Sequence, residues 1–293
     1  MQCFANIALY CCRGHPKAML QQAAVARHTP NKQAKTMKTV IARGHDDLRA
    51  FVASLPEEFA RGGRVLFSGR NEIRAYTVDT PHGPAEVVVK RYKRPNLIQK
   101  IIYSFFRGTK ARHAYRNAAE LLRRGFLTPE PLAYIETRRG LLVDYCYFVS
   151  APDYSHPISG PLNEQPQYDS VMATDYALFV ARLHKSGVLD IDLNSGNVLY
   201  RRQPDGHCTF SLIDINRMRF YPEGQCVPRD ACLENITRFT GRMDVFEHVA
   251  RVYAEAMHRP DITLPLMLRV KVRHDEQWEK KKRLLHPMRS RRQ

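Results

Sequence analysis

Hydrophobic and polar positions change period several times along this chain. The run Ala85-Glu86-Val87-Val88-Val89-Lys90 is short, β-branched and closed by a lysine, the pattern of a strand. Upstream, Ser68-Gly69-Arg70-Asn71 falls between two further apparent strands. From Lys110 to Arg124 the period becomes helical, with Ala111, Ala114, Tyr115, Ala118, Leu121 and Leu122 on one side. Two apolar runs, Val198-Leu199-Tyr200 and Phe210-Ser211-Leu212-Ile213, flank a turn built on Pro204-Asp205-Gly206, which predicts a β-hairpin ending at Asp214. Thr128-Pro129-Glu130-Pro131 and Ser150-Ala151-Pro152 punctuate the middle, and the second is the expected boundary between two lobes. There are no internal repeats, and no run reaches the length of apolar sequence that a spanning helix needs.

The chemistry concentrates in Leu183–Arg217. Asp192 and Asn197 lie five positions apart within D-L-N-S-G-N, preceded by His184 and Gly187. Folding the hairpin back brings Asp214 near Asn197. Phosphoryl transfer of the kinase type uses such a set: one carboxylate to accept a hydroxyl proton, and a carboxamide plus a carboxylate to hold magnesium. A spaced Asp and Asn alone also suits a capped loop before an ordinary hairpin. The ordered series from His184 to Asp214 favours the chemical reading. So does Lys90, which ends a strand far upstream, where a kinase carries its phosphate-binding lysine.

Five segments resemble the lipopolysaccharide kinase (Kdo/WaaP) family, in its InaA-like branch, within the protein-kinase-like superfamily. They are SGRNEIRAYTV (68–78), residues 87–136, YCYFVS (145–150), residues 183–200 and FSLIDINRMRFY (210–221), together spanning roughly residues 60–260. The RNEIR, KAR-x-x-YRNA, TPEPLAYIE and DINRM runs carry more of the resemblance than the kinase motif does. The resemblance implies an α+β, two-lobed fold: a small antiparallel β-rich N-lobe (37–150), a larger mostly helical C-lobe (151–275), and ATP between them. It implies ATP and Mg2+ as cofactors and a sugar hydroxyl near lipid A as acceptor. Asp192 would be the catalytic base, Asn197 and Asp214 the metal ligands, and Lys90 the phosphate contact. Three departures stand out. Asp190 occupies the position two before the catalytic aspartate, usually His, and a second carboxylate there would raise one of the two pKa values. Asp214-Ile215-Asn216 replaces Asp-Phe-Gly, with Asn216 expected to accept the positive φ of the turn. No G-x-G-x-x-G loop exists, so Arg70 and nearby backbone N–H groups are the expected cover for the phosphates. Glu120, the only acid in the Lys110–Arg124 helix, is the candidate partner of Lys90, with a solvated surface glutamate as the alternative.

Charge and termini complete the picture. Forty-six Lys and Arg against 29 Asp and Glu give a net charge of +17, which points to a polyanionic partner. Between Lys90 and Arg112 there is no acid, and Leu97, Ile98, Ile101, Ile102, Tyr103, Phe105 and Phe106 are interleaved with the cations. Two readings stay open: a helix that meets an anionic bilayer, or an amphipathic helix whose apolar face packs on the lobe. Nothing matches a recognition helix, zinc finger or RNP-type aromatic pattern, so nucleic acid is not the expected partner. The expected partners are ATP and an anionic lipid or lipopolysaccharide precursor, at the inner face of the cytoplasmic membrane. Residues 1–36 contain no acid and no clear period, and Met37 reads as a natural start; they are expected to be an extension or an over-called start, with a signal peptide as the alternative. Residues 276–293 are expected to be a solvated basic tail. Seven cysteines without a C-x-x-C pair argue for free thiols in a reducing cytoplasm. Arg217 and Arg219 read as surface charge, or as contacts to an anionic substrate. Rival functions are a kinase of another small molecule and a pseudokinase.

Overall fold

The computed structural model describes residues 35–289. The first half is built on strands: β1 (Lys35–Ile41), then helix α1 (Arg49–Glu58), β2 (Arg64–Ser68), β3 (Glu72–Thr80), β4 (Gly83–Arg91), helices α2 (Leu97–Phe105) and α3 (Lys110–Arg123), β5 (Pro131–Arg139) and β6 (Leu142–Ser150). The second half is mostly helical: β7 (His156–Pro157), α4 (Ser170–Lys185), β8 (Val188–Asp190), β9 (Val198–Arg202), β10 (Cys208–Leu212), β11 (Met218–Phe220), α5 (Arg229–Ile236), α6 (Met243–Met257) and α7 (Leu264–Arg289).

The first six strands form one antiparallel sheet in the order β1-β5-β6-β4-β3-β2. Successive side chains of a strand face opposite sides, and the sheet uses both. Val87, Val89, Ile135, Tyr147 and Val149 join Val52, Leu55 and Phe59 from α1 in one core. Tyr134, Cys146 and Phe148 face the other way, onto Ala111, Ala114, Ala118 and Leu121 of α3. Lys90 pairs across the ladder with Phe148, so the pleat turns it toward the α3 side. The helical half centres on α4 and α6, where Tyr176, Phe239, Phe246 and Tyr253 are buried. Asp169 caps α4 by accepting the Met172 N–H at 2.9 Å.

The predicted hairpin forms as β9 and β10, paired from Val198↔Leu212 to Arg202↔Cys208. The predicted strand and helix form as β4 and α3, and β6 ends at Ser150. Helix α7 runs to Arg289, anchored by buried Met267 and Lys271, and residues 276–283 on it are exposed, so the basic segment expected to be solvated is helical as far as Arg289. The expectations for residues 1–36 lie outside the described residues, apart from Lys35 and Thr36, which open β1.

Helix α2 is mounted with its polar side inward. Asn96 and Gln99 form a capping box at its start. Lys100 reaches buried Asp144 at 3.1 Å, and Ser104 Oγ accepts the Val143 N–H at 2.9 Å. Leu97, Ile98, Ile101, Phe105 and neighbouring Phe106 are therefore left exposed, Phe106 at 81 %. Of the two readings of this segment, packing of the apolar face on the lobe is the one the structure removes. No helix among the described residues is long and apolar enough to cross a membrane.

Candidate active site

The loop between β8 and β9 carries Asp192 and Asn197 and is held by its own side chains. Asp190 Oδ1 accepts the Asp192 N–H at 3.0 Å, and Asn197 Nδ2 donates to the Asp192 carbonyl at 3.0 Å. Asn194 Oδ1 accepts the Gly196 N–H at 3.0 Å. The Ile213 N–H donates to the Asn197 carbonyl at 2.9 Å, which brings the end of β10 and Asp214 to this loop, as expected of a hairpin folding back. Asp214 itself takes the left-handed backbone conformation, with φ 55°. Asn216 does not; its Nδ2 donates to Asp214 Oδ1 at 2.6 Å. The expected positive φ thus sits two residues earlier than the motif suggested, on an Asp, which tolerates it better than most residues.

Lys90 meets Asp214: Nζ to Oδ1 is 2.5 Å, across the whole span from β4 to the hairpin's end. Glu120 does not take part. Its carboxylate is bound by Arg123 and Arg124, at 2.7 Å each. Hydrogen bonds from Arg123 and then Arg124 hold its pKa down at about 2. The reason is positional. Glu120 lies in the last turn of α3, where Arg124 also donates to the Ser186 and Tyr221 carbonyls and ties α3 to the helical half. The side chain α3 sends to the Asp-Ile-Asn segment is Asn117, whose Nδ2 donates to the Ile215 carbonyl at 2.7 Å.

A cation missed from sequence also stands here. Lys110, at the start of α3, is pulled below the ordinary lysine range by burial and then by Arg70, with Lys90 adding to the effect and Asp214 opposing it. Arg70 lies exposed in the β2–β3 turn, as expected. Arg70 and Lys90 thus act on Lys110, and Lys90 pairs with Asp214, a concentration of positive charge suited to a polyphosphate. No periodicity marks Lys110, which is one cation among many in a basic segment.

The residues fit a magnesium ion in one respect that can be checked. Asn197 uses its Nδ2 on the Asp192 carbonyl, and among the described residues no donor reaches its Oδ1. Asp214 keeps Oδ2 free of protein donors in the same sense. Two hard oxygen donors are thus left unused on neighbouring segments, the type that magnesium takes together with substrate phosphates.

Asp192 is bridged by Arg217, whose guanidinium lies 2.9 and 3.2 Å from its two carboxylate oxygens. Arg217 is exposed, and its charge is spent on Asp192 rather than left unpaired. Asp190, by contrast, is buried and carries an unpartnered Oδ2. Burial pushes its pKa up to about 7, with the charges of Asp192 and Asp214 adding to the effect. The expected pair of carboxylates with one raised pKa is present, and the raised one is Asp190. The loop is supported from below by a buried chain. Tyr253 O–H meets His184 Nδ1 at 2.7 Å, His184 Nε2 meets Asn235 Oδ1 at 3.0 Å, and Asn235 Nδ2 donates to the Asp190 carbonyl at 2.6 Å. Since Asn235 presents its amide nitrogen to Asp190, its oxygen accepts from Nε2–H, and Nδ1 accepts from Tyr253. Gly187 is required nearby: its φ is 68°, and a Cβ there would lie 2.5 Å from the Gln225 carbonyl.

No family model matches the chain, and no curated protein sequence matches it. Among solved structures, the chain is similar to one described as WaaP in complex with acyl carrier protein. The TM-score is 0.53 at 16 % identity, over 85 % of this chain and 99 % of that one. A curled antiparallel sheet followed by a mostly helical half, superposable on that structure, defines a kinase-like fold. The name WaaP is also the name of the family the sequence motifs resemble.

Proposed function

We propose that this protein is an ATP- and Mg2+-dependent kinase of the InaA-like branch that phosphorylates a sugar hydroxyl in the Kdo–lipid A region of lipopolysaccharide. The observation that carries the reading is the Lys90–Asp214 pair, set beside Asn197 and Asp192 where β4, the β8–β9 loop and the end of β10 converge. Magnesium-bound ATP would supply the phosphoryl group and neutralise charge on it as transfer proceeds. Asp214 and Asn197 would hold the metal through the two oxygens left free of protein donors. Lys90 would exchange Asp214 for the α- and β-phosphates, with Lys110 and Arg70 adding charge around the triphosphate. Asp192 would accept the acceptor's hydroxyl proton. Arg217 holds the Asp192 carboxylate oriented, and would lie beside the transferred phosphoryl group. Asp190, whose pKa burial pushes up to about 7, shapes the loop by accepting the Asp192 N–H and carries its charge less readily than an ordinary carboxylate.

The outward apolar face of α2 supports a place at the inner leaflet. Lys93 and Arg107 flank a face of Leu, Ile and Phe, so insertion of apolar side chains would accompany contact of cations with lipid phosphates. The same basic and apolar surface favours a second reading, docking of a carrier protein such as the one bound to WaaP in the similar structure.

Calorimetric titration with ATP-Mg tests the nucleotide half of the proposal. Lys90→Met is expected to weaken binding by roughly tenfold to a hundredfold, the worth of a charge-assisted contact to phosphate. Glu120→Ala is expected to leave it unchanged. Equal loss in both variants would refute the Lys90–Asp214 arrangement and restore Glu120 as the lysine's partner.

A further inference from the structure

A cleft of about 340 Å3 opens directly beside Asp192, and none of the roles above uses it. Its walls come from three places: the catalytic loop (Asp192, Asn194), the loop from Thr237 to Gly241 that joins α5 to α6, and the outer turns of α7 with His274 and Trp278. The floor is rigid. Lys271 is 1 % exposed and donates to the Thr237 and Thr240 carbonyls at 3.2 and 2.5 Å, and its charge is matched by Asp275 at 2.8 Å. Asn163 ties this loop to the catalytic loop, donating to the Phe239 carbonyl and to Ser195 Oγ at 3.1 and 2.9 Å. A lysine buried at the cost of its hydration, with every donor used inward, makes a scaffold of the loop rather than a ligand of the cleft.

Two side chains of the wall are left for something outside the protein. Trp278 is the only tryptophan of the chain and is 59 % exposed. Arg238 is exposed, and among the described residues it has no carboxylate partner; its guanidinium donates to the Ile191 carbonyl at 3.2 Å. An indole face suits the C–H face of a pyranose ring, and an exposed guanidinium with no carboxylate partner suits a carboxylate or phosphate on that ring. Asn194 is exposed at the cleft and adds a polar side chain for ring hydroxyls, while the Thr237 and Thr240 hydroxyls are buried and donate inward, to the Glu234 carbonyl and Asn163 Oδ1.

We propose that this cleft is the acceptor site, and that it binds an anionic pyranose stacked on Trp278 and held through its negative group by Arg238, with a ring hydroxyl at Asp192. This assignment rests on the kinase reading of Asp192. It also gives the C-terminal helix α7 a function: without its outer turns the cleft has no aromatic wall.

Because there is one tryptophan, intrinsic emission reads the cleft alone. The full chain is titrated with free Kdo, with mannose 6-phosphate and with methyl glucoside. Saturable quenching by one or both anionic sugars, weakened about tenfold in Arg238→Ala, is expected, with little response to the neutral sugar; which anionic sugar binds tells a carboxylate from a phosphate. In transfer assays, Trp278→Ala is expected to raise KM for the sugar acceptor about tenfold and to leave KM for ATP alone, with Trp278→Phe between the two. Trp278 is exposed, so its removal leaves the core intact. Unchanged acceptor KM in both Trp278→Ala and Arg238→Ala would overturn the cleft while leaving the kinase reading in place. Saturable quenching without phosphate transfer to any sugar would uphold the cleft as a sugar site and overturn the kinase reading.

Discussion

Replacing Asp190 with Asn tests the electrostatics of the β8–β9 loop most sharply. Asp190 is 2 % exposed, and its Oδ2 has no partner, while its Oδ1 accepts the Asp192 N–H. Burial raises the pKa from 3.8 to about 7. Between those values the folded protein keeps a proton that the unfolded chain has released, so this residue makes stability fall as pH rises. Each pH unit between the two values costs about 1.4 kcal/mol, so the full penalty is about 4 kcal/mol, complete only above pH 7. Asn preserves the shape and the acceptor for the Asp192 N–H but cannot ionise. Denaturant unfolding of both proteins from about pH 5 to pH 8 isolates this contribution, because every other group cancels in the difference. Asp190→Asn is expected to gain about 2–3 kcal/mol on the wild type across that range and to retain phosphate transfer. A difference that stays constant with pH would refute the reasoning, since Asp190 would then titrate alike in both states.

His184 gives the opposite limb. Burial lowers its pKa from 6.5 to about 4, so the folded state refuses a proton that the unfolded chain takes up, and about 3 kcal/mol is lost as pH falls from 7 through 4. His184→Gln should flatten that acid limb in the same denaturation assay, and an unaltered limb would refute the assignment. For α2, the double substitution Ile98→Glu and Phe106→Glu should abolish co-sedimentation with vesicles rich in anionic lipid. Each buried Leu, Ile or Phe is worth roughly 1.5–3 kcal/mol. Retained sedimentation would move the membrane contact elsewhere, and loss of carrier-protein binding alone would favour the second reading of that face.

What is legible in the sequence follows from how local each signal is. The hairpin of β9 and β10, the β4 strand with its lysine, and the α3 helix are written in periods of two and 3.6 and in turn residues, and the structure has all three. Asp192, Asn197 and Asp214 can be placed together because a hairpin folds back on itself. Glu120 misleads because a helical wheel gives a face but not its neighbours; Arg124 is close to it in sequence, and the carbonyls that fix Arg124 are not. Lys110 and Asn117 carry no pattern of their own and gain meaning only from the sheet and the Asp-Ile-Asn segment packed against them. Helix α2 shows the limit of amphipathicity: its two faces are legible, but which one turns inward is set by Asp144 and Val143 of a distant strand. Likewise the buried Lys271 looks in sequence like any other cation of a basic C-terminus.

The central claim, a kinase whose base is Asp192, is tested by following labelled γ-phosphate from ATP-Mg onto Kdo-bearing lipid A, with Asp192→Asn as control. The expected result is label on the lipid in the wild type and its loss in the variant, with ATP binding intact in both. Wild-type transfer by Asp192→Asn would contradict the role of Asp192, and an unlabelled lipid with ATP bound would contradict the acceptor.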